Sequence, residues 1–328
     1  MGKVIKVLSI DGGGIRGIIP AMVLAEIERI LQKPTAETFD LIAGTSTGGM
    51  LALALSVPGE DGAPKYSAKQ MIGLYEIEGK TIFSNPSSLW QRIPAIHNLT
   101  EEKYNEAGIE SVLEKYFGET QLSAALTDVL VTSYEIERRI PFFFRSAKAR
   151  QQEDYDFPMK LVARATSAAP TFFKPLKLQT QGLQEYYVLV DGSVYANNPA
   201  MCAFIEAKKA FPDAEDFLVV SLGTGDVSYI QSYNEDKGWG VIQWAEPLLD
   251  VIVHGSDLMV DYQMNNLLTP ASGFKRYFRF QAKLNDRNKD IDDASRMNVR
   301  MLKLGAEAVI HEKQDDLKLL CAQLMEED

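Results

Sequence analysis

Phe39-Asp40-Leu41-Ile42-Ala43-Gly44-Thr45-Ser46-Thr47-Gly48-Gly49-Met50-Leu51-Ala52-Leu53-Ala54-Leu55 is the stretch that decides the fold. Phe39 to Ala43 is a short apolar run of strand length, and Met50 to Leu55 reads as an apolar helix across a Gly-rich turn. The same succession occurs upstream. Val4 to Ile10 is rich in β-branched residues and alternates only weakly, as a parallel strand buried on both faces does. A glycine cluster follows, then Ile19, Val23, Ile27 and Ile30 at helical spacing. Pro20 belongs in a first turn, so that helix begins near Ile18. Strand, turn and helix repeated in this way predict an α/β chain with a mostly parallel sheet covered by helices.

Downstream, helices are expected at Ser67–Gly79, Glu101–Phe117 and Leu161–Ala169, and strands at Asp128–Glu135 and Arg139–Arg145. A hairpin is expected to pair Phe172–Leu178 with Tyr186–Val190 around Gln181-Gly182. A helix from Asn198, a strand Phe217–Leu222, a long helix Trp244–Leu267 and a strand Tyr277–Phe280 follow. A last helix places Leu302, Ala306, Val309, Leu317, Leu320 and Leu324 on one side. No repeat or linker interrupts the pattern, which reads as one domain over residues 1–328.

The 328 residues are 46% hydrophobic and 24% charged, ordinary globular usage, with a formal net charge of -11. That balance excludes a general nucleic-acid binder. It weakens attraction to anionic membranes but leaves hydrophobic contact with lipid open. Cys202 and Cys321 are too few for a disulfide framework, and His97, His254 and His311 lack ligand spacing, so no metal site is expected. The start, Met1-Gly2-Lys3-Val4-Ile5-Lys6, lacks the features of a signal peptide, and no apolar stretch reaches the roughly 20 residues of a membrane span. The expectation is a soluble, cytoplasmic protein, at most peripheral to membranes.

Three segments carry chemistry. Gly44-Thr45-Ser46-Thr47-Gly48 matches G-x-S-x-G, in which a serine on a strained strand-to-helix turn lifts its hydroxyl above a helix N-terminus. Chance matches to five residues are common in Gly/Ser-rich loops; here the flanking strand and helix supply the required context. Asp11-Gly12-Gly13-Gly14-Ile15-Arg16-Gly17 admits two readings. Gly12, Gly14 and Gly17 fit a dinucleotide fingerprint, but Asp40 begins its strand instead of ending it. The other reading is an oxyanion hole, in which consecutive backbone N–H groups converge on a developing anion. Asp191-Gly192-Ser193 follows a strand, and Asp191 is either a turn cap or the base a serine nucleophile needs. The histidines lie in an irregular loop, an apolar helix and a charged helix, so a serine–aspartate dyad fits better than a triad with histidine.

Together these segments, with Ala165-Thr166-Ser167-Ala168-Ala169-Pro170-Thr171-Phe172-Phe173 before the third, resemble the patatin-like phospholipase family over nearly the whole chain. Plant patatins and their bacterial relatives are the nearest likeness. Ser193 departs from the family's D-G-[GA] pattern; it is still small, and its hydroxyl adds a possible hydrogen bond near the base. The resemblance implies a three-layer αβα fold related to the α/β-hydrolases. It implies a lipid acyl hydrolase acting on phospholipids, lysophospholipids or galactolipids through transient contact with a membrane or micelle. In it Ser46 is the nucleophile and Asp191 the base. Gly44, Thr45, Thr47 and Gly48 shape the elbow, and Gly192 and Ser193 complete the dyad motif. Gly12, Gly13, Gly14 and Gly17 form the oxyanion loop, with Gly13 and Gly14 as donors and Arg16 holding it. Neither cofactor, metal nor calcium dependence is implied.

Rival readings are an acyltransferase using the same dyad, a nucleotide-dependent oxidoreductase, and a weakly active storage or interaction protein. Trp90, Ile93 and Ile96, among prolines in the irregular stretch Phe83–Leu99, are either loop packing or part of an apolar substrate entrance. Head-group preference and oligomeric state are not legible.

Overall fold

A computed structural model describes residues 3–84, 102–182, 185–227, 241–268, 274–285 and 288–326; at 241–247 and 249 it describes the backbone alone. Trp90, Ile93, Ile96 and His97 lie outside the described residues, and with them the proposed entrance.

The chain enters through strand β1 (Val4–Ile10), a single tight turn Gly14–Gly17, and helix α1 (Ile18–Leu31). Strand β2 (Leu41–Thr45) runs straight into α2 (Thr47–Ser56), which begins earlier than the apolar run at Met50 suggests. Helices α3 (Ala68–Glu76) and α4 (Glu106–Phe117) lead to β3 (Asp128–Glu135) and β4 (Ile140–Arg145). Then come α5 (Met159–Thr166), β5 (Leu176–Gln179), β6 (Tyr186–Asp191) and α6 (Ala200–Ala210). Strand β7 (Asp216–Leu222), the long α7 (Val241–Leu267), β8 (Tyr277–Phe280), α8 (Arg296–Glu312) and α9 (Gln314–Met325) complete the order. The expected hairpin forms, but its first strand is shorter: Phe172 and Phe173 donate their N–H groups to the Ala169 carbonyl and pack against Tyr104. The last helix is two, broken at Lys313, whose N–H closes α8 on the Val309 carbonyl.

Strands β2, β1, β7 and β8 pair in parallel around β1, and β3 joins parallel to β2; β4, β5 and β6 add antiparallel pairs. Period-two alternation sorts the central strands onto two apolar faces. Leu8, Ile10, Ile42, Leu218, Val220 and Leu222 face one core with α1 and α2. Ile5, Val7, Leu41, Ala43, Phe217 and Val219 face the other, with Ala203 and Phe204 of α6 and Met264 of α7. Both faces are therefore covered, which is why these strands read as nearly continuous apolar runs. No helix among the described residues is long and apolar enough to cross a membrane.

One detail of the sheet positions everything below. Strand β4 lies along β3 from Leu130 to Glu135, so β2 and β6 must share the opposite edge. There β2 ends with Thr45 opposite Thr132, and β6 ends with Asp191 opposite Ser133. The two strands meet end to end.

Candidate active site

Ser46 sits between β2 and α2 with φ 54 and ψ -123, a backbone region that residues with a side chain rarely occupy. The glycines on either side permit it by closeness. A Cβ on Gly44 would fall 2.2 Å from the Gly48 carbonyl oxygen, and one on Gly48 would fall 2.2 Å from that of Ile10. The elbow is anchored from outside by a residue that the sequence offers only as part of the segment Ala165–Phe173, with no role of its own. Thr166, at the end of α5, donates its hydroxyl proton to the Thr132 carbonyl at 2.7 Å and accepts the Ser46 N–H at 2.8 Å. Beneath it, Thr45 donates to the Ala196 carbonyl, so the 2.6 Å contact between Thr45 and Thr132 hydroxyls has Thr132 as donor. Thr47 pairs with the Tyr75 hydroxyl at 2.7 Å.

Asp191 reaches Ser46 because β6 ends where β2 does. Its carboxylate is buried, accepts the Ser193 N–H at 2.8 Å, and has the Ser46 and Ser193 hydroxyls beside it as groups that favour its charged form. Burial pushes this carboxyl up to about 6, against the lowering effect of those donors. Gly192 is required by contact, since a Cβ there would lie 2.1 Å from the Thr132 hydroxyl oxygen. The Ser193 hydroxyl thus stands beside the Asp191 carboxylate.

The glycine loop stands beside Ser46: a Cβ on Gly12 would lie 3.3 Å from that of Ser46. Its donors are not equivalent. The Gly12 N–H is committed to the Asn197 carbonyl at 3.0 Å. Among the described residues, no hydrogen bond occupies the Gly13 or Gly14 N–H. Gly17 packs against the Thr47 and Tyr75 hydroxyls, 2.4 Å from where its Cβ would be, and so ties the loop to the elbow. Arg16 donates its N–H to the Gly13 carbonyl; burial lowers its guanidinium from the ordinary value, and Asp250, Asp257, Asp226 and Asp290 pull it back up. Asp11 is buried against Arg279, whose guanidinium donates to it at 2.5 Å and to Ser221 at 2.8 Å. Asn197 in turn donates to Asp257 of α7 at 2.8 Å.

Asp40, the acid a dinucleotide site would need, is held by the Lys6 N–H and the Lys3 ammonium at the amino end of β2, remote from the glycine loop at the carboxyl end of β1. His254 is exposed on α7 with an Asp226 carboxylate oxygen 3.5 Å from its Nδ1, and His311 is exposed in the last turn of α8. Neither takes part in the hydrogen bonds of Ser46 or Asp191. Among the described residues no group of three or more His, Cys, Asp or Glu is arranged to hold a metal ion. A cleft of about 530 Å³, lined by Lys3, Lys6, Asp40, Asp128 and Arg150, opens at the opposite end of the sheet.

Residues 8–204 match the family described as patatin-like phospholipase. The chain is 33% identical over 307 residues to patatin-like protein 1 of Arabidopsis thaliana, covering 85% of this chain and 74% of that protein. It is 32% identical over 327 residues to a Solanum tuberosum protein named probable inactive patatin-3-Kuras 1, covering 92% and 85%. Among solved structures, VipD from Legionella pneumophila is similar with a TM-score of 0.36 and 12% identity, covering 93% of this chain and 67% of that one. Matched across 8–204 and at a third identity over most of its length, the chain belongs to the patatin-like phospholipase family.

Proposed function

We propose that this protein is a serine carboxylic-ester hydrolase of lipids, with Ser46 as nucleophile and Asp191 as its base. The observation that carries the proposal is the placement of a buried carboxylate beside a serine at a strained strand-to-helix turn, set by the ends of two strands on one edge of β3. A family that includes a relative named as inactive leaves activity to be argued from the residues, and here the constellation is intact.

Ser46 Oγ attacks the acyl carbonyl while Asp191 takes its proton. The carbonyl oxygen becomes an anion, which the Gly13 and Gly14 N–H groups receive. When the C–O bond to the leaving alcohol breaks, Asp191 returns the proton to that alcohol, leaving acyl-Ser46. Water then repeats the sequence, with Asp191 as base, and frees the fatty acid. Because Asp191 is pushed up to about 6, it is ionised at neutral pH yet basic enough to accept a proton. Substrates are fatty acyl esters of phospholipids, lysophospholipids or galactolipids, met at a membrane or micelle surface.

The test is labelling with a fluorophosphonate, peptide mapping of the modified residue, and hydrolysis of the three lipid classes. Modification at Ser46, abolished in Ser46→Ala together with hydrolysis, is the expected result. A label elsewhere, or full turnover by Ser46→Ala, refutes the assignment.

A further inference from the structure

The peptide between Gly12 and Gly13 is flanked by two glycines, so side-chain sterics do little to prevent it from turning over. Its two polar groups point in opposite directions, as in any trans peptide. Whatever holds the Gly12 carbonyl therefore sets where the Gly13 N–H points.

Thr224 holds it. The buried Thr224 hydroxyl donates to the Gly12 carbonyl at 2.5 Å. The threonine also fills the space beside Gly13, where a Cβ would lie 2.3 Å from Thr224 Oγ1 and 2.7 Å from its Cβ. Thr224 is itself clamped. It follows β7 in a Gly223-Thr224-Gly225 turn, in which the Gly223 N–H donates to the Phe280 carbonyl and the Gly225 N–H to the Gln281 side chain, both at 2.8 Å. On the far side, the Asn197 carbonyl fixes the Gly12 N–H. The peptide is thus gripped before and at its carbonyl, while the Gly13 N–H carries no hydrogen bond among the described residues and, lying across a trans peptide from that carbonyl, points away from the Thr224 hydroxyl; Gly12, which precedes it, lies beside Ser46.

We propose that Thr224 is a positioning residue whose hydroxyl locks the Gly12–Gly13 peptide in the orientation that offers the Gly13 N–H to the oxyanion. The use of that N–H rests on the hydrolase reading; the lock rests on geometry alone. No local pattern marks Thr224 for this role, since it lies 212 residues from Gly12.

Thr224→Val keeps the shape and removes the donor, whereas Thr224→Ser keeps the donor. Crystal structures of both report the peptide orientation, and a short soluble ester reports kinetics. The lock predicts a turned or two-state Gly12–Gly13 peptide in the valine protein and the parent orientation in the serine protein. It predicts a kcat about 10²-fold lower for valine, the loss typical of one oxyanion donor, with KM within about twofold. Affinity for a trifluoromethyl ketone, whose adduct carries the anion, falls in parallel, and serine restores both. An unchanged peptide in the valine protein overturns the lock, as does a serine protein impaired like valine or a loss confined to KM. Should valine prevent folding, Thr224→Ala and Thr224→Ser form the same contrast. A parent protein that hydrolyses no ester and takes no label at Ser46 refutes the hydrolase reading, and the peptide orientations in the variants still decide the lock.

Discussion

Thr45 and Asp191 stand against consecutive residues, Thr132 and Ser133, on one edge of the same strand. One arrives parallel to β3 and the other antiparallel, so the residue after Thr45 and the last residue of β6 are forced together. The Ser46–Asp191 contact is thus a consequence of strand register, not of a flexible loop. A second hydrogen bond, from the Ser133 hydroxyl to the Val190 carbonyl at 2.6 Å, fastens β6 in that register.

Two residues acting as a unit lose activity as a unit. Ser46→Ala and Asp191→Asn are each expected to lower ester hydrolysis by at least about 10³-fold, and the double variant by little more. Steady-state rates on a soluble ester measure this. Additive losses would separate the two residues chemically.

Much of this architecture is legible in the sequence, for physical reasons. Val4–Ile10, Leu41–Thr45 and Phe217–Leu222 are buried on both faces, so their composition alone announces strands. The elbow motif is legible because close backbone approach demands glycine at 44 and 48. Other features leave no local trace. Helix α2 starts at Thr47 because the turn is completed by backbone geometry at Ser46, while the apolar residues begin only at Met50. The break at Lys313 falls within an unbroken apolar periodicity. Thr166 and Asn197 act on Ser46 and Gly12 from 120 and 185 positions away, through one hydroxyl and one carbonyl. That the Gly12 N–H is committed to the Asn197 carbonyl leaves no mark in the glycine run itself.

In the proposed mechanism Asp191 works only as the carboxylate, so activity should require pH above its titration. With the group pushed up to about 6, kcat/KM is expected to fall tenfold per pH unit below that point and to level off above it. Ser193→Ala removes one donor that favours the charged form, so the carboxyl rises further and the acid limb moves to higher pH. A pH–rate profile of both proteins tests this. A limb that stays in place detaches Ser193 from the base.

Thr166→Val deprives the Ser46 N–H of its acceptor and the Thr132 carbonyl of its donor. Leaving such groups unpaired costs about 1–3 kcal/mol each where they are buried. The elbow is then held less firmly, and a kcat lowered by about tenfold, with a reduced melting temperature, is expected. Thr166→Ser retains both bonds and should behave like the parent. Equal behaviour of valine and serine, by kinetics and by calorimetry, would remove Thr166 from the site.

The same burial that tunes Asp191 costs stability, and the sign is fixed. Burial pushes its carboxyl from the ordinary 3.8 up to about 6 in the folded chain, so the folded state binds the proton more tightly. Stability from this group is therefore fully present below about pH 3.8 and is lost as pH rises through 6. The shift corresponds to roughly 3 kcal/mol as an upper bound. Asp191→Asn is neutral at every pH and keeps an oxygen for the Ser193 N–H. It should consequently melt above the parent at pH 8 and alongside it at pH 4, while having lost its activity. Thermal melts at the two pH values decide the matter: an asparagine protein that gains nothing at pH 8 would show that the carboxylate is better solvated than its position implies.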